Sequence, residues 1–379
     1  MPAALPTTIV VNTCDQPVLA QRCLAGLVRH LDRWGHRPRI LVADDSRSPT
    51  HAGAVAALVA ALPERFRATH LERTRKLALA RQLALAVEVD PAVLEFGLGD
   101  PLATGYTLGA NLVAALLASA GEAIVVLDED MQLDAYRGPP QPGGPAARSL
   151  LPLSPRWFVS AAEVEPLRVD VDVVGEHGLW LGRRVAERRV IATSSGICGF
   201  TGCADAALDV LLSADELLRG DAQRLMAVLE RPRALRVAEQ ASVNAGEGWT
   251  SASVGIDGRE LLPPFLPAGR GTDLLWAFMA VTTCPHAGFA RLPFALTHDR
   301  ATKGADATAR PVSIWTLLAD ILQSSSAQLP STGTAARLRA VGTRIELVAE
   351  QGVDALRERA FDLDRRCRAR VRQQLRRAL

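Results

Sequence analysis

The sequence has no apolar run that approaches the ~20 residues a membrane-spanning helix requires. Its first residues, Met1-Pro2-Ala3-Ala4-Leu5-Pro6, lack the basic segment and long apolar core of a secretory signal. Cysteine is sparse: Cys14, Cys23, Cys198, Cys203, Cys284 and Cys367 are scattered and form no C-x-x-C pair, which excludes a disulfide scaffold and fits a reducing compartment. Net charge is also missing, because 43 basic and 41 acidic residues leave a formal +2. A balanced total says nothing about an anionic partner, so local fields must be sought in clusters. The glycine frames G-x-G-x-x-G and G-x-x-x-x-G-K-[ST] do not occur, which removes the common dinucleotide and P-loop sites. Ser194-Ser195-Gly196 lacks the G-x-S-x-G frame of a serine hydrolase. These absences predict a cytoplasmic protein, with peripheral membrane contact left open.

What is present is enough for a large core: 379 residues, 48% hydrophobic and 22% charged, suit one large domain or two smaller ones. The first third alternates short β-like runs with alanine- and leucine-rich helical stretches, the pattern of βαβ units around a mainly parallel sheet. Thr8 to Val11 reads as the first strand, Val18 to Trp34 as a helix begun by Pro17, and Arg39 to Ala43 as the second strand. Helical spacing returns over His51 to Leu62, Thr74 to Val89 and Ala110 to Ala120, the last preceded by a glycine-rich turn region from Gly97 to Gly109. Val169 to Val174 and Arg189 to Ala192 read as strands, and Ala204 to Leu229 as mostly helical. Gly138 to Pro145 is loop chemistry.

The most informative stretch is Ile124-Val125-Val126-Leu127-Asp128-Glu129-Asp130, a buried-strand pattern that ends in three carboxylates. Adjacent acids repel one another, and burial raises their pKa values unless a cation compensates. The bland alternative is a solvated acidic turn. A second acidic pair, Asp44-Asp45, ends the second strand, and in open α/β sheets ligands bind beyond the carboxyl ends of strands.

Set in order, the pieces are Thr8-Ile9-Val10-Val11-Asn12-Thr13, Val42-Ala43-Asp44-Asp45-Ser46, Gly109-Ala110-Asn111, Leu127-Asp128-Glu129-Asp130, Gly269-Arg270-Gly271-Thr272-Asp273 and Leu296-Thr297-His298. This succession resembles a GT-A nucleotide-sugar glycosyltransferase, closest to the family-2 group of bacterial enzymes, over roughly residues 7–299. The resemblance implies an α/β GT-A fold, Rossmann-like with flanking helices, plus a C-terminal helical extension. It divides the chain into a nucleotide-sugar-binding half (1–135), an acceptor-binding and catalytic half of the same domain (136–310) and the extension (311–379).

The resemblance also implies roles. Asp44 or Asp45 accepts hydrogen bonds from the base or ribose, although Asp44-Asp45-Ser46 also reads as a turn and helix cap. Thr13, Asn111, Asp128, Glu129, Arg270 and Arg300 join them in holding the donor, with Lys303 near Arg300. Asp128, Asp130 and His298 hold a divalent cation of the D-x-D type, Mn²⁺ or Mg²⁺, and imidazole favours Mn²⁺. Asp273 is the general base that deprotonates the acceptor hydroxyl in an inverting reaction; it also reads as a helix N-cap. Thr272 stands where a Glu is common and Ala110 where an Arg is common, two departures from the pattern. Trp249 and Trp276 are candidates for stacking on a sugar, with core packing as the alternative.

The partners implied are a nucleoside diphosphate sugar, UDP favoured, and a hydroxyl acceptor. Alternatives are a retaining enzyme with the same metal site and a non-catalytic GT-A-like binding protein. From Ser313 onward the chain reads as helical, with Leu363, Cys367, Val371, Leu375 and Leu379 on one stripe flanked by arginines. That helix either packs its stripe on the domain or meets an anionic bilayer or a partner. No nucleic-acid module is recognisable.

Overall fold

A computed structural model of the chain describes residues 7–99, 107–138, 156–200, 222–230, 233–246, 249, 253–267, 272–299, 317–318, 320, 322 and 333–378. Its helices are α1 (Pro17–Trp34), α2 (Pro49–Ala60), α3 (Arg73–Val87), α4 (Pro91–Leu98), α5 (Leu108–Ala118), α6 (Val173–Trp180), α7 (Ala222–Glu230), α8 (Thr272–Thr283), α9 (Thr334–Glu350) and α10 (Gly352–Ala378). The strands of the first half are β1 (Thr8–Thr13), β2 (Arg39–Asp44), β3 (Thr69–Leu71), β4 (Ala123–Asp128), β5 (Met131–Tyr136), β6 (Arg156–Phe158) and β7 (Arg168–Val169). Those of the second half are β8 (Arg184–Val185), β9 (Arg188–Phe200), β10 (Arg233–Arg236), β11 (Ser242–Asn244), β12 (Ser253–Asp257) and β13 (Ala287–His298).

All the strands belong to one sheet, ordered β3-β2-β1-β4-β12-β9-β13-β5-β7, with the other four at its margins. The block β3-β2-β1-β4 is parallel. Its central strands are apolar on both faces because helices cover both. Ile9, Val11, Ile40, Val42, Val125 and Leu127 pack beneath α1 and α2, whereas Val10, Leu41, Ile124 and Val126 pack with α5 on the opposite face. Beyond β4 the sheet turns antiparallel at β12, although the long β9 and β13 run parallel to each other. The order reverses between β1 and β4, the position beyond whose carboxyl ends open α/β sheets bind ligands. A parallel, helix-flanked half is thus joined through the antiparallel strand β12 to a mixed half in one α/β sheet.

Local signals explain the helix ends. Pro17 opens α1, Gly35 closes it in the left-handed region, and Ser48 caps α2 through the His51 amide. The sequence reading missed α4, although Asp90 caps it and Pro91 begins it. Two strand expectations need correction. Residues 173–174 lie in α6 rather than in a strand, because Asp172 caps that helix by accepting from the Gly175 amide. The strand expected over Arg189 to Ala192 extends to Phe200. The expected helix over Ala204 to Leu229 is described only from Ala222, and the 138–145 loop lies almost wholly outside the described residues. Among the described residues, no helix is long and apolar enough to cross a membrane.

Gly109 has a specific structural duty. A Cβ there would lie 1.6 Å from the Leu266 carbonyl oxygen, and the Ala110 amide donates to Pro267 O at 3.0 Å. The start of α5 is thus pressed against the chain that leads toward α8. Gly109→Ala is expected to cost about 1–3 kcal/mol by forcing these backbones apart, read as a lower urea midpoint. An unchanged midpoint would refute the close approach.

Candidate functional site

The register of the parallel ladder sets the site. Asn12 pairs with Asp128 of β4, and Thr13 pairs with Asp44 of β2, so three strands deliver polar residues at one level. The backbone carries the pattern one step further: Asp45 N donates to Thr13 O and Glu129 N to Asn12 O, both at 3.0 Å. Asn12 Nδ2 donates to Asp128 Oδ1 at 3.3 Å between the paired strand ends.

Asp44 and Asp45 are both buried and differently held. Asp44 Oδ2 meets His70 Nε2 at 3.0 Å, and Oδ1 accepts from the Ser46 amide at 2.8 Å. Burial pushes the Asp44 carboxyl upward, but the hydrogen bonds from His70 and Ser46 outweigh it and hold the group below its ordinary value. Asp45 Oδ1 instead pairs with the ammonium of Lys76, which also donates to Asn111 Oδ1 at 2.6 Å. Asn111 Nδ2 reaches Thr13 O at 3.5 Å, which closes the network. Burial lowers the Lys76 pKa, and neighbouring Asp45 pushes it back up. Asn12 Oδ1, Thr13 Oγ1 and Asp45 Oδ2 are buried atoms with no hydrogen-bond partner among the described residues.

Asp130 and His298 are 168 residues apart in sequence and come together because β13 ends antiparallel to the start of β5, with His298 opposite Met131. Asp299 N donates to Asp130 O at 2.9 Å, and His298 Nε2 lies 3.2 Å from Asp130 Oδ2. On its other side His298 Nδ1 donates to the carbonyl of Phe200. Gly199 makes this possible: it holds φ +134°, and a Cβ there would lie 2.4 Å from His298 O. Since a carbonyl only accepts, Nδ1 carries a proton, and Nε2 faces the Asp130 carboxylate. That contact requires a second proton on the ring or a cation. Two ligands each about 2.1 Å from one octahedral ion stand about 3 Å apart, so this donor pair fits a hard divalent cation. Among the described residues, no three His, Cys, Asp or Glu side chains form a metal-holding group. Asp128 is half-buried, and its Oδ1 is turned toward Asn12.

Asp273 is half-buried in the first turn of α8, where its carboxylate accepts from Leu274 N at 2.9 Å. The helix starts at Thr272, so Asp273 lies inside it and is not the N-cap. The two tryptophans are core residues: Trp249 and Trp276 are 3% and 0% exposed and pack with Phe265 and Phe289, their own ring centroids 4.9 Å apart. Neither is placed to stack on a sugar. Arg270, Arg300 and Lys303 lie outside the described residues. Cys14 lies beside Asp45, and burial, followed by the negative charges of Asp15, Asp45 and Glu129, pushes its thiol up to about 12, so it stays protonated.

Sequence reasoning passed over Lys76, His70 and Asn12 as site residues. A signal existed for the lysine: Lys76, Ala80 and Ala84 form the buried face of α3, so a cation heads an alanine stripe.

No family model and no curated protein matches the chain. Among solved structures it is similar to glucosyl-3-phosphoglycerate synthase from Mycobacterium tuberculosis in complex with Mn²⁺, UDP-glucose and glycerol 3-phosphate, at 12% identity and a TM-score of 0.41 over 87% of this chain and 83% of that one. The same enzyme with Mn²⁺, UDP and phosphoglyceric acid gives 14% and 0.37 over 87% and 81%. A mycobacterial protein gives 15% and 0.41 over 87% and 77%.

The held carboxylate at the end of β2 has a pH consequence. A lowered folded-state pKa contributes stability that is complete above the unfolded value of 3.8 and is lost as pH falls through the folded value. Asp44→Asn is expected to lower the unfolding free energy at pH 7 by about 1–3 kcal/mol, read as a lower urea midpoint, and to flatten the loss of stability below about pH 4. A variant with the wild-type acid limb would rule out this contribution.

Proposed function

We propose that the chain is a metal-dependent glycosyltransferase that moves a sugar from a nucleoside diphosphate sugar, UDP favoured, to a hydroxyl acceptor. The observation that carries this reading is the facing of His298 Nε2 and Asp130 Oδ2, 3.2 Å apart two residues past the end of β4. A cation held there, Mn²⁺ or Mg²⁺, supplies charge neutralisation for a diphosphate leaving group when bound. Asp130 and His298 are its protein ligands, with Asp128 turned toward the nucleotide. The buried acceptor Asn12 Oδ1 and the Thr13 hydroxyl suit the donors of a ribose or base.

Asp273 is the general base of an inverting displacement. A carboxylate in the first turn of a helix is favoured in its ionised form by the helix dipole, which a base that takes a hydroxyl proton requires. The backbone at Leu266 and Pro267, ahead of that helix, packs on α5 at Gly109, two residues from Asn111, which supports a base near the donor side. The resemblance assigns the diphosphate contact to Arg270 and Arg300, which lie outside the described residues.

The site tests itself in two steps. UDP-glucose with Mn²⁺ at about 100 times its dissociation constant should stabilise the protein by about 2.7 kcal/mol, seen as a rise in thermal midpoint. Asp130→Ala and His298→Ala should each abolish the metal-dependent part of that rise. Asp273→Asn should keep the rise and lose roughly 10²–10⁴-fold in transfer rate; normal turnover in that variant removes the base assignment. A panel of UDP-, GDP- and dTDP-sugars that leaves the midpoint unmoved, with and without Mn²⁺, sinks the transferase reading.

A further inference from the structure

A cavity of about 520 Å³ lies between α1 and the strands β5 and β7, at the far margin of the sheet. Its volume suits a small molecule. Leu133 and Val169 in its wall pack with the core on the sheet face of Val11 and Leu127. Side chains alternate along paired strands, so Asn12 and Asp128 belong to the opposite face, that of Val10 and Val126. The cavity is therefore separate from the strand-end acids, and its role does not depend on the transferase reading.

Arg22, Gly26, Arg29 and Arg33 recur at helical spacing, so they form one stripe down α1 along the cavity, and Arg168 closes it from β7. Arg22 pairs with Asp299 at 2.8 Å, Arg33 with Asp170 and Arg168 with Asp134, all with side chains at least 40% exposed. Exposed pairs of this kind are weak and yield to a competing anion. Arg29 has no ion-pair partner among the described residues. Glycine inside a helix is less favourable than alanine, yet a Cβ on Gly26 would meet only the Arg29 guanidinium, at 3.9 Å. Packing does not require a glycine there; the missing side chain keeps the cavity floor open. His30, which borders the cavity, is 8% exposed, and its Nε2 has no hydrogen-bond partner among the described residues, with Asp172 3.6 Å away. A buried polar atom left in that state is costly, and an occupant against His30 supplies a partner.

We propose that this cavity binds a soluble small molecule through a phosphate or diphosphate group. The lining sets four arginines against Asp134 and Asp170, an excess of two positive charges that a dianion neutralises. Guanidinium forks match phosphate oxygens two at a time, whereas one carboxylate would leave most of those donors unused. Leu133, Val169 and Val171 give the organic part of the ligand an apolar wall. Asp134 and Asp170 are solvent-accessible beside the arginines, which disfavours an anionic bilayer that would press many phosphates against them.

The test is titration calorimetry of the full chain with inorganic pyrophosphate in metal-free buffer, where the acidic strand ends repel an anion. The wild-type protein should bind with a dissociation constant below about 1 mM. Arg29→Ala removes an exposed side chain and should weaken binding at least about tenfold, the loss of one charge-assisted hydrogen bond. Gly26→Leu fills the cavity floor, leaves every charge in place and should weaken binding as much. Pyrophosphate that both variants bind at wild-type strength sits elsewhere and overturns the inference, as does wild-type protein that binds none. A loss in Arg29→Ala with Gly26→Leu unchanged reports general charge rather than a cavity and overturns it too. Association with anionic phospholipid vesicles in the absence of pyrophosphate binding likewise overturns it.

Discussion

The in-register ladder of β2, β1 and β4 is the constraint on which the rest depends. Parallel strands with no register slip end at the same level, so a polar residue at the end of each is delivered to one edge without any loop having to be rigid. The apolar runs that precede those residues lock the register, because a one-residue slip would turn every buried valine and isoleucine to the wrong face. Packing energy from the core thus fixes polar geometry at the edge.

Three buried carboxylates at that edge each face a basic side chain from an element further along the chain: Asp44 faces His70, Asp45 faces Lys76 and Asp130 faces His298. Such pairs contribute little net stability, since the cost of removing two charges from water offsets their attraction. Breaking one is a different matter, because the remaining charge is buried alone. The arrangement therefore fixes positions more than it adds stability.

The fold's first half was legible because each signal was local and redundant. β1, β2 and β4 are unbroken apolar runs, and Pro17, Pro49 and Gly35 mark helix ends by chemistry that acts over one turn. The second half was less legible. Val169 to Val174 alternates like a strand, yet Asp172 also answers to His36, with its oxygens 2.8 Å from Nε2, and caps α6. The serines and glycine of β9 look like a break, but burial among β10, β12 and β13 keeps them extended. The acids of the site were visible as clusters at strand ends. Lys76 was hidden in the basic run Arg73-Thr74-Arg75-Lys76, because nothing local tells a lysine that it will be buried. The tryptophans erred in the opposite direction: their aromatic chemistry suits a sugar, but the shared core of Trp249, Phe265, Trp276 and Phe289 claims it first.

The electrostatic sign of the edge links its two halves. Asp44, Asp45, Asp128, Glu129 and Asp130 place five carboxyl groups at neighbouring strand ends, against one buried lysine and two histidines among the described residues. A diphosphate that approaches such an edge alone is repelled, and more strongly as it leaves water. Under the proposed function, a divalent cation held by Asp130 and His298 would reverse the sign of that interaction. Linkage is reciprocal, so a nucleotide that needs the cation must tighten the cation's binding by the same factor. Under that proposal two protein ligands would suffice, because phosphate oxygens would complete a coordination sphere that the protein leaves open.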